Sequence, residues 1–170
     1  MMKLNSSLKQ KVLSIKLIAF DFDGVFTDNR VFINEEGKES VACNRSDGIG
    51  LERIRNLGIK TCIISSEPNP LVIKRSEKLK IPCVHNCPDK LKALLKVAKE
   101  CSISLKETAF LGNDINDIEC LKSVGLPTAV SDCHPELDKI VLVKTERNGG
   151  SGAVRELCDL IYNVKSEKRR

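Results

Sequence analysis

Two hydrophobic patterns alternate along this 170-residue chain. Short apolar runs rich in β-branched residues predict β-strands at 16–20, 60–65, 83–85, 108–112, 127–130 and 140–143. Segments whose apolar residues recur every three to four positions predict helices at 47–58, 70–80, 89–102, 116–125 and 151–164. Strand–helix alternation of this kind predicts an α/β fold, a parallel sheet with helices on both faces.

One stretch interrupts the alternation directly after the first predicted strand. Residues 30–44 contain two strand-like arms around Glu36 and Gly37, which predict a β-hairpin. Because we find no repeat, low-complexity segment or linker, we expect residues 1–170 to form a single domain.

Composition and charge narrow the classes of function. The net charge of +5 lies partly in the tail 165–170, and aromatic residues make up only 4% of the chain, which argues against a nucleic-acid-binding surface. No apolar run approaches the roughly 20 residues of a membrane span, and the first residues lack the apolar stretch of a signal peptide. We therefore expect a cytoplasmic protein with no nucleic-acid or membrane partner.

The eight cysteines contain no CxxC pair, and most of them lie within apolar runs. Free cysteine behaves there as a small buried hydrophobe, which is consistent with a reducing compartment. The densest group is Cys83, His85 and Cys87. A zinc site needs a fourth ligand, and none is obviously placed, so the sequence does not favour zinc.

The first predicted strand ends in two aspartates, Asp21 and Asp23. Residues two apart share one face of a strand, so the two carboxylates lie close together, and each raises the pKa of the other unless a cation or proton lies between them. An EF-hand loop has glycine at its sixth position and glutamate at its twelfth, whereas here Gly24 comes fourth and Phe32 twelfth. The pair therefore favours a metal or proton-transfer site of another kind.

Polar residues also follow the other predicted strands. Ser65, Lys90 and the segment 112–117 each lie at a strand end or just beyond, where open α/β sheets bind ligands. Each feature alone has a structural explanation as a turn, a helix cap or a solvated lysine, but together they suit magnesium and a phosphate group. Asp21 can then attack phosphorus while Asp23 protonates the leaving oxygen, and Ser65 and Lys90 hold the phosphoryl oxygens.

These motifs resemble the four motifs of the haloacid dehalogenase superfamily of phosphatases. The hairpin and the segments 44–50, 89–91 and 149–156 are similar to the 3-deoxy-octulosonate 8-phosphate phosphatase subfamily, and the resemblance covers residues 15–162. That subfamily also contains nonulosonate 9-phosphate phosphatases and the C-terminal domain of animal CMP-sialic acid synthetases. The resemblance implies a Rossmann-like fold without a cap domain and a Mg²⁺-dependent phosphatase that forms an aspartyl phosphate.

The resemblance also implies a role for each matching residue. Asp21 is the nucleophile, and Asp23 is the general acid and base, whose backbone carbonyl also binds magnesium. The fourth motif has Asn113 where an acidic residue is commoner, so a neutral oxygen becomes a metal ligand, with Asp114 as the alternative. The implied metal ligands are thus Asp21, Asp23, Asn113 and Asp114, and the phosphoryl-binding residues are Ser65 and Lys90.

The substrate is predicted from the residues after the second motif. Octulosonate phosphatases carry Gly-Arg there, whereas this chain has Ser66-Glu67. A glutamate followed by Arg75 and Lys78 resembles the phosphatases of nonulosonate (sialic acid or KDN type) 9-phosphates. Arg75 or Lys78 can then bind the sugar-acid carboxylate, unless both only decorate an exposed helix face. The eight-carbon octulosonate 8-phosphate is the alternative substrate.

Two expectations concern assembly. The chain has no room for a cap, and the resemblance implies a homotetramer in which the hairpins pair and each site borrows residues from a neighbour. The glycine-rich segment 148–156 is expected to add to the mouth of that site. A non-catalytic assembly domain, as in the synthetases, is a further alternative, but the presence of Asp21, Asp23, Ser65 and Lys90 favours an active enzyme.

Overall fold

A computed structural model describes residues 5–167; the last three residues of the basic tail lie outside this range. The strands are β1 (Leu17–Phe20), β2 (Phe32–Ile33), β3 (Glu39–Ser40), β4 (Lys60–Ile64), β5 (Cys83–Val84), β6 (Thr108–Gly112), β7 (Leu126–Ala129) and β8 (Val143–Lys144). The helices are α1 (Ser6–Ser14), α2 (Ser46–Asn56), α3 (Leu71–Leu79), α4 (Lys90–Glu100), α5 (Ile118–Ser123) and α6 (Ala153–Glu167).

The predicted parallel α/β sheet is confirmed. Six strands pair in the order β5-β4-β1-β6-β7-β8, and every pairing is parallel, as in a Rossmann-like fold. The two central strands, β1 and β6, are buried along their whole length, because helices cover both faces of the sheet. Their carboxyl ends therefore meet at one edge of the sheet, next to that of β4.

The chain after β1 turns back into the core through aromatic packing. Phe22 and Phe26 are buried and stack with their ring centroids 5.9 Å apart, and Phe26 also meets Phe20 edge-on at 5.5 Å. Ring contacts of this kind add stabilisation beyond the apolar area that they bury. The loop that carries Asp21 and Asp23 is thus anchored on both sides by buried rings.

Two elements differ from the predicted ones. The sequence pattern missed α1, whose single fully buried residue is Val12 and whose N-cap, Asn5, accepts a hydrogen bond from Leu8 at 2.8 Å. The apolar run 140–143 was predicted as a strand, but β8 begins only at Val143. Ile140 and Val141 instead donate their backbone N–H groups to the carbonyl of Leu137, and so they close a 3-10 turn.

The predicted hairpin is present, although its paired strands are only two residues long each. Gly37 takes a positive φ of 76° in the turn, and the side-chain oxygen of Asn34 accepts a hydrogen bond from Lys38. Val31, Phe32 and Ile33 are exposed on this hairpin by 49%, 59% and 66%. No helix between residues 5 and 167 is long and apolar enough to cross a membrane.

Candidate active site

The carboxyl edge of the sheet brings most of the predicted site residues together. A cavity of about 90 Å³ lies beyond the ends of β4, β1 and β6. Its walls are formed by Asp21, Asp23, Asn29, Ser65, Ser66, Asn113, Asp114 and Asn116. Two larger cavities, of about 480 and 470 Å³, lie elsewhere and contain none of these residues.

Lys90, the first residue of α4, joins two of the strand ends below this cavity. Its Nζ lies 2.9 Å from Oδ1 of Asp21 and 2.8 Å from Oδ1 of Asp117, and all three side chains are almost fully buried. Burial and the nearby Asp117 raise the pKa of Asp21 to about 7, although Lys90 opposes this. Burial lowers the pKa of Lys90, but the two carboxylates outweigh it and raise that pKa.

Asp117 is a buried residue of the fourth motif to which sequence reasoning gave no role. Besides Lys90, its carboxylate accepts hydrogen bonds from the backbone N–H groups of Asn113 at 2.9 Å and Asp114 at 3.4 Å. A Cβ added to Gly112 would come within 2.5 Å of this carboxylate, so the chain needs glycine there. Asp117 therefore sets the position of both the lysine and the loop after β6.

Asn113 presents the acceptor that a cation needs. Its Oδ1 is buried and has no hydrogen-bond partner within the described residues, while its Nδ2 packs on Gly24, where an added Cβ would lie only 2.0 Å away. Asp114 lines the same cavity, but its Oδ1 already accepts a hydrogen bond from Ile115 at 2.7 Å. Buried oxygens without partners are rare in folded proteins, so this atom favours Asn113 as the metal ligand.

The donor set fits a hard divalent cation. Within residues 5–167, no group of three or more His, Cys, Asp or Glu side chains is arranged to hold a metal ion. The carboxylates of Asp21 and Asp23 lie together here, and the candidate donors are the carboxylate of Asp21, the backbone carbonyl of Asp23 and the amide oxygen of Asn113. Magnesium in phosphate sites takes only one or two carboxylates besides substrate oxygens. Repulsion between these carboxylates and a phosphate dianion is a further physical reason for a cation here.

Asp23 lies at the boundary between this cavity and a second one. The second cavity has a volume of about 250 Å³ and shares Asp23, Asn29 and Ser66 with the first. Burial and the carboxylate of Glu67 raise the pKa of Asp23, Lys90 opposes this, and Glu39 raises it further. A raised pKa suits a carboxyl group that donates a proton near neutral pH.

The strand-end loop after β4 supplies Ser65 and Glu67. Ser65 is 2% exposed, and its hydroxyl oxygen accepts a hydrogen bond from the backbone N–H of Glu67 at 3.1 Å, so its own O–H is left to donate. Glu67 lines the second cavity with Glu39, Asn69 and several apolar side chains. Ser66 and Asn29 were not predicted as site residues. The only sequence feature that could have indicated them is their position directly after the second and the first motif.

Arg75 and Lys78 are not brought to the site in this chain. Neither lines one of the two cavities at the carboxyl edge. The guanidinium of Arg75 donates to the backbone carbonyl of Asn44 at 2.9 Å, and Lys78 is exposed on α3. Their predicted role in binding the substrate carboxylate therefore has no support from the geometry of this chain.

The glycine-rich segment lines neither cavity. It contacts the backbone of the loop that follows the two aspartates. Gly150 donates its N–H to the carbonyl of Val25 at 3.0 Å. A Cβ added to Gly149 would lie 1.9 Å from the backbone oxygen of Gly24. Glycine is required because the two backbones approach this closely, and the contact holds the loop that follows the aspartates.

The sequence of the chain is similar to those of several known proteins. It matches the haloacid dehalogenase-like hydrolase family over residues 58–157. It is 33% identical over 153 residues to the 3-deoxy-D-manno-octulosonate 8-phosphate phosphatase of Yersinia pestis, which covers 89% of this chain and 82% of that protein. It is 29% identical over 163 residues to N-acylneuraminate cytidylyltransferase A of Danio rerio, which covers 95% of this chain. The chain spans only 38% of the length of that fish protein.

A solved structure is similar along almost the whole chain. It is the 3-deoxy-D-manno-octulosonate 8-phosphate phosphatase of Moraxella catarrhalis, determined in complex with a magnesium ion, a phosphate ion and a KDO molecule. The TM-score is 0.92 at 32% identity, with 96% of this chain and 95% of that chain covered.

Proposed function

Because the chain belongs to the haloacid dehalogenase-like hydrolases, and within them to the 3-deoxy-D-manno-octulosonate 8-phosphate phosphatase family, it is a phosphoric monoester hydrolase, and we propose that it hydrolyses a nonulosonate 9-phosphate with magnesium as its cofactor. The observation that carries the substrate proposal is the carboxylate of Glu67 on the wall of the second cavity, at the position where octulosonate phosphatases carry arginine.

The first half of the reaction forms a bond between Asp21 and phosphorus. Lys90 holds Oδ1 of Asp21, which leaves Oδ2 to attack. As the Asp21–phosphorus bond forms and the ester bond breaks, Asp23 gives its proton to the leaving alcohol. Asp21, the backbone carbonyl of Asp23 and Asn113 would hold magnesium, which when bound would supply positive charge to the phosphoryl oxygens.

The second half releases phosphate. Asp23, now ionised, takes a proton from water, whose oxygen attacks phosphorus and breaks the bond to Asp21. The hydroxyl of Ser65 and the ammonium of Lys90 donate to the phosphoryl oxygens in both halves, where negative charge builds. Both are buried and held in place by the protein, so little reorganisation is needed during the reaction.

The substrate proposal is tested by comparing kcat/KM for a sialic acid 9-phosphate with that for octulosonate 8-phosphate. We expect the nine-carbon ester to be preferred. We expect Glu67→Arg to shift the ratio toward the octulosonate by about tenfold or more, because arginine pairs with the octulosonate carboxylate whereas Glu67 repels it. Turnover of p-nitrophenyl phosphate is the control for an intact phosphoryl site. A wild-type preference for the octulosonate would overturn the choice in favour of the eight-carbon substrate.

The non-catalytic alternative rests on the similarity to the cytidylyltransferase. Against it, the buried Asp21–Lys90–Asp117 group and the unpartnered oxygen of Asn113 are costly features that an assembly domain has no reason to keep. A magnesium-dependent assay with p-nitrophenyl phosphate separates the two classes. Absence of turnover at high protein concentration would support the assembly domain.

For assembly, we infer a homotetramer that forms through the hairpin. Three consecutive apolar side chains, Val31, Phe32 and Ile33, are exposed by 49–66%, and exposed edges of this kind pair with other chains. Among the described residues that line the two cavities, none is Lys, Arg or His. A cation for the substrate carboxylate is therefore expected from a neighbouring copy.

Light scattering tests the assembly. Replacing Phe32 and Ile33 by serine is expected to give smaller species with impaired turnover of the sugar phosphate. Leu95→Ser is the matched control, because Leu95 is also exposed, at 49%, but lies on α4 away from the hairpin. A stable, fully active native monomer of 18.8 kDa would contradict the proposal.

A further inference from the structure

Asn69 joins three parts of the chain through three separate hydrogen bonds. Its backbone N–H donates to Oε1 of Glu67 at 3.0 Å, and its Nδ2 donates to Oε2 of Glu39, on the hairpin, at 2.7 Å. Its Oδ1 accepts from the N–H of Leu71, the first residue of α3, at 3.1 Å. The hairpin, the loop after β4 and the start of α3 are thereby tied at one point.

The two glutamates that Asn69 holds face the side of the site from which the alcohol leaves. Asp23 protonates the leaving oxygen and lines both cavities, so the carbon chain of the alcohol extends into the 250 Å³ cavity. Glu39 and Glu67 line that cavity. In the part of the chain that the structure describes, each carboxylate has one oxygen bonded to Asn69 and another without a protein hydrogen bond.

The polar lining of this cavity selects hydrogen-bond donors. It consists of the carboxyl group of Asp23, the carboxylates of Glu39 and Glu67, the amides of Asn29 and Asn69, and the hydroxyl of Ser66. Ionised carboxylates only accept hydrogen bonds, so they bind the hydroxyl groups of an alcohol and repel a carboxylate brought close to the reacting phosphorus. Repulsion between like charges is also a general way in which a binding site excludes a wrong ligand.

We propose that Asn69, Glu39 and Glu67 form an acidic clasp that selects esters whose carbons next to the phosphate carry hydroxyl groups and excludes esters with a carboxylate there. Asn69 is the positioning residue, and the free oxygens of Glu39 and Glu67 accept from the substrate hydroxyls. This inference rests on the proposed phosphatase function and restricts its substrate class to esters whose acid group does not lie next to the phosphate.

A matched pair of small substrates tests the charge selection directly. Glycerol 3-phosphate and 3-phosphoglycerate differ by a hydroxymethyl group against a carboxylate near the ester. We expect kcat/KM to favour glycerol 3-phosphate by about tenfold or more in the wild type, and Glu39→Gln to reduce that preference several-fold. Glu36→Gln is the control, because Glu36 lies on the same hairpin, pairs with Lys38 at 2.6 Å and does not line the cavity.

Asn69→Ala tests the positioning role. We expect KM for the sugar acid phosphate to rise about five- to tenfold, with kcat and the turnover of p-nitrophenyl phosphate changed less than about twofold. Equal losses on both substrates would show a merely structural role and overturn the assignment. Should Asn69→Ala fail to fold, Glu39→Gln, at an exposed hairpin position, decides alone.

Different experimental results would contradict the clasp and the proposed substrate. A wild-type enzyme that does not discriminate between glycerol 3-phosphate and 3-phosphoglycerate overturns the clasp, whatever its activity on sugar acid phosphates. Discrimination between the small pair without turnover of either sugar acid phosphate supports the clasp and contradicts only the proposed substrate.

Discussion

The carboxyl edge of the sheet and the junction of α2 with α6 each bury an aspartate with a raised pKa. Burial is the largest cause in both cases, and it raises the pKa of Asp21 to about 7 and that of Asp47 to about 6. Asp21 forms an ion pair with Lys90 and lines a cavity. Asp47 is completely buried and lines none of the cavities described above.

The contacts of Asp47 explain why a carboxylate is buried at the junction. Its Oδ1 accepts a hydrogen bond at 3.1 Å from the backbone N–H of Arg155, the third residue of α6. Gly152, just before α6, has no side chain that could cap the helix, so Asp47 supplies the cap from α2. The positive charges of Arg75, Arg147 and Arg155 lower the pKa of Asp47, but burial outweighs them.

Burial and a raised pKa do not by themselves identify a catalytic carboxylate. Structural carboxylates are perturbed by the same physical causes. What distinguishes Asp21 is the access of a ligand: it meets a cavity that also contains Asp23 and the unpartnered oxygen of Asn113. Substitutions in each region test whether the two are as different as these contacts indicate.

Asp21→Asn is expected to lower kcat for any phosphate ester by at least about a thousandfold, because the nucleophile is lost. Its melting temperature is expected to stay the same or rise, since Lys90 keeps Asp117 as a partner and one buried charge is gone. Steady-state kinetics and calorimetry measure the two effects. Retention of a tenth or more of the activity would exclude Asp21 as the nucleophile.

Lys90→Met is expected to abolish turnover and to lower the free energy of unfolding by about 3–5 kcal/mol, because two buried carboxylates lose their cation. Adding Asp117→Asn to this variant is expected to restore part of the stability but not the activity. Urea denaturation of both variants provides the measurement. An unchanged midpoint of urea denaturation in Lys90→Met would mean that Lys90, Asp21 and Asp117 do not form a buried ionic group.

Asp47→Asn is expected to leave kcat unchanged and to raise the free energy of unfolding at about pH 8 by about 1–3 kcal/mol. The folded-state pKa of about 6 lies above the ordinary 3.8, so the folded protein binds this proton more tightly than the unfolded chain does. The contribution of Asp47 to the free energy of unfolding of the wild type therefore decreases as the pH rises from about 4 to 6. Asparagine does not titrate, so Asp47→Asn does not lose this stability.

Unfolding curves at several pH values check this sign. The advantage of Asp47→Asn should vanish below about pH 4, where both states of the wild type are protonated. A variant that is less stable at every pH would show that the ionised carboxylate is held by the nearby arginines more strongly than burial opposes it.

The sheet and most of the site follow from local patterns in the sequence. A strand buried on both faces requires a continuous apolar run, which is a local pattern, and the polar residues that follow each run are read directly from the chain. The carboxyl ends of adjacent parallel strands meet in any fold of this class, so Asp21, Ser65 and Asn113 could be placed together without coordinates. The sequence pattern did not predict α1, because only one residue of that helix is fully buried.

The pairing of side chains, in contrast, depends on how the folded chain packs. Lys90 bonds to Asp117, Asn69 to Glu39, and Arg155 to Asp47, across 27, 30 and 108 residues of chain. Such partners are set by the packing of elements far apart in sequence, and no local periodicity encodes them. For the same reason the sequence could propose Arg75 for the substrate, whereas the fold turns its guanidinium to the backbone of Asn44.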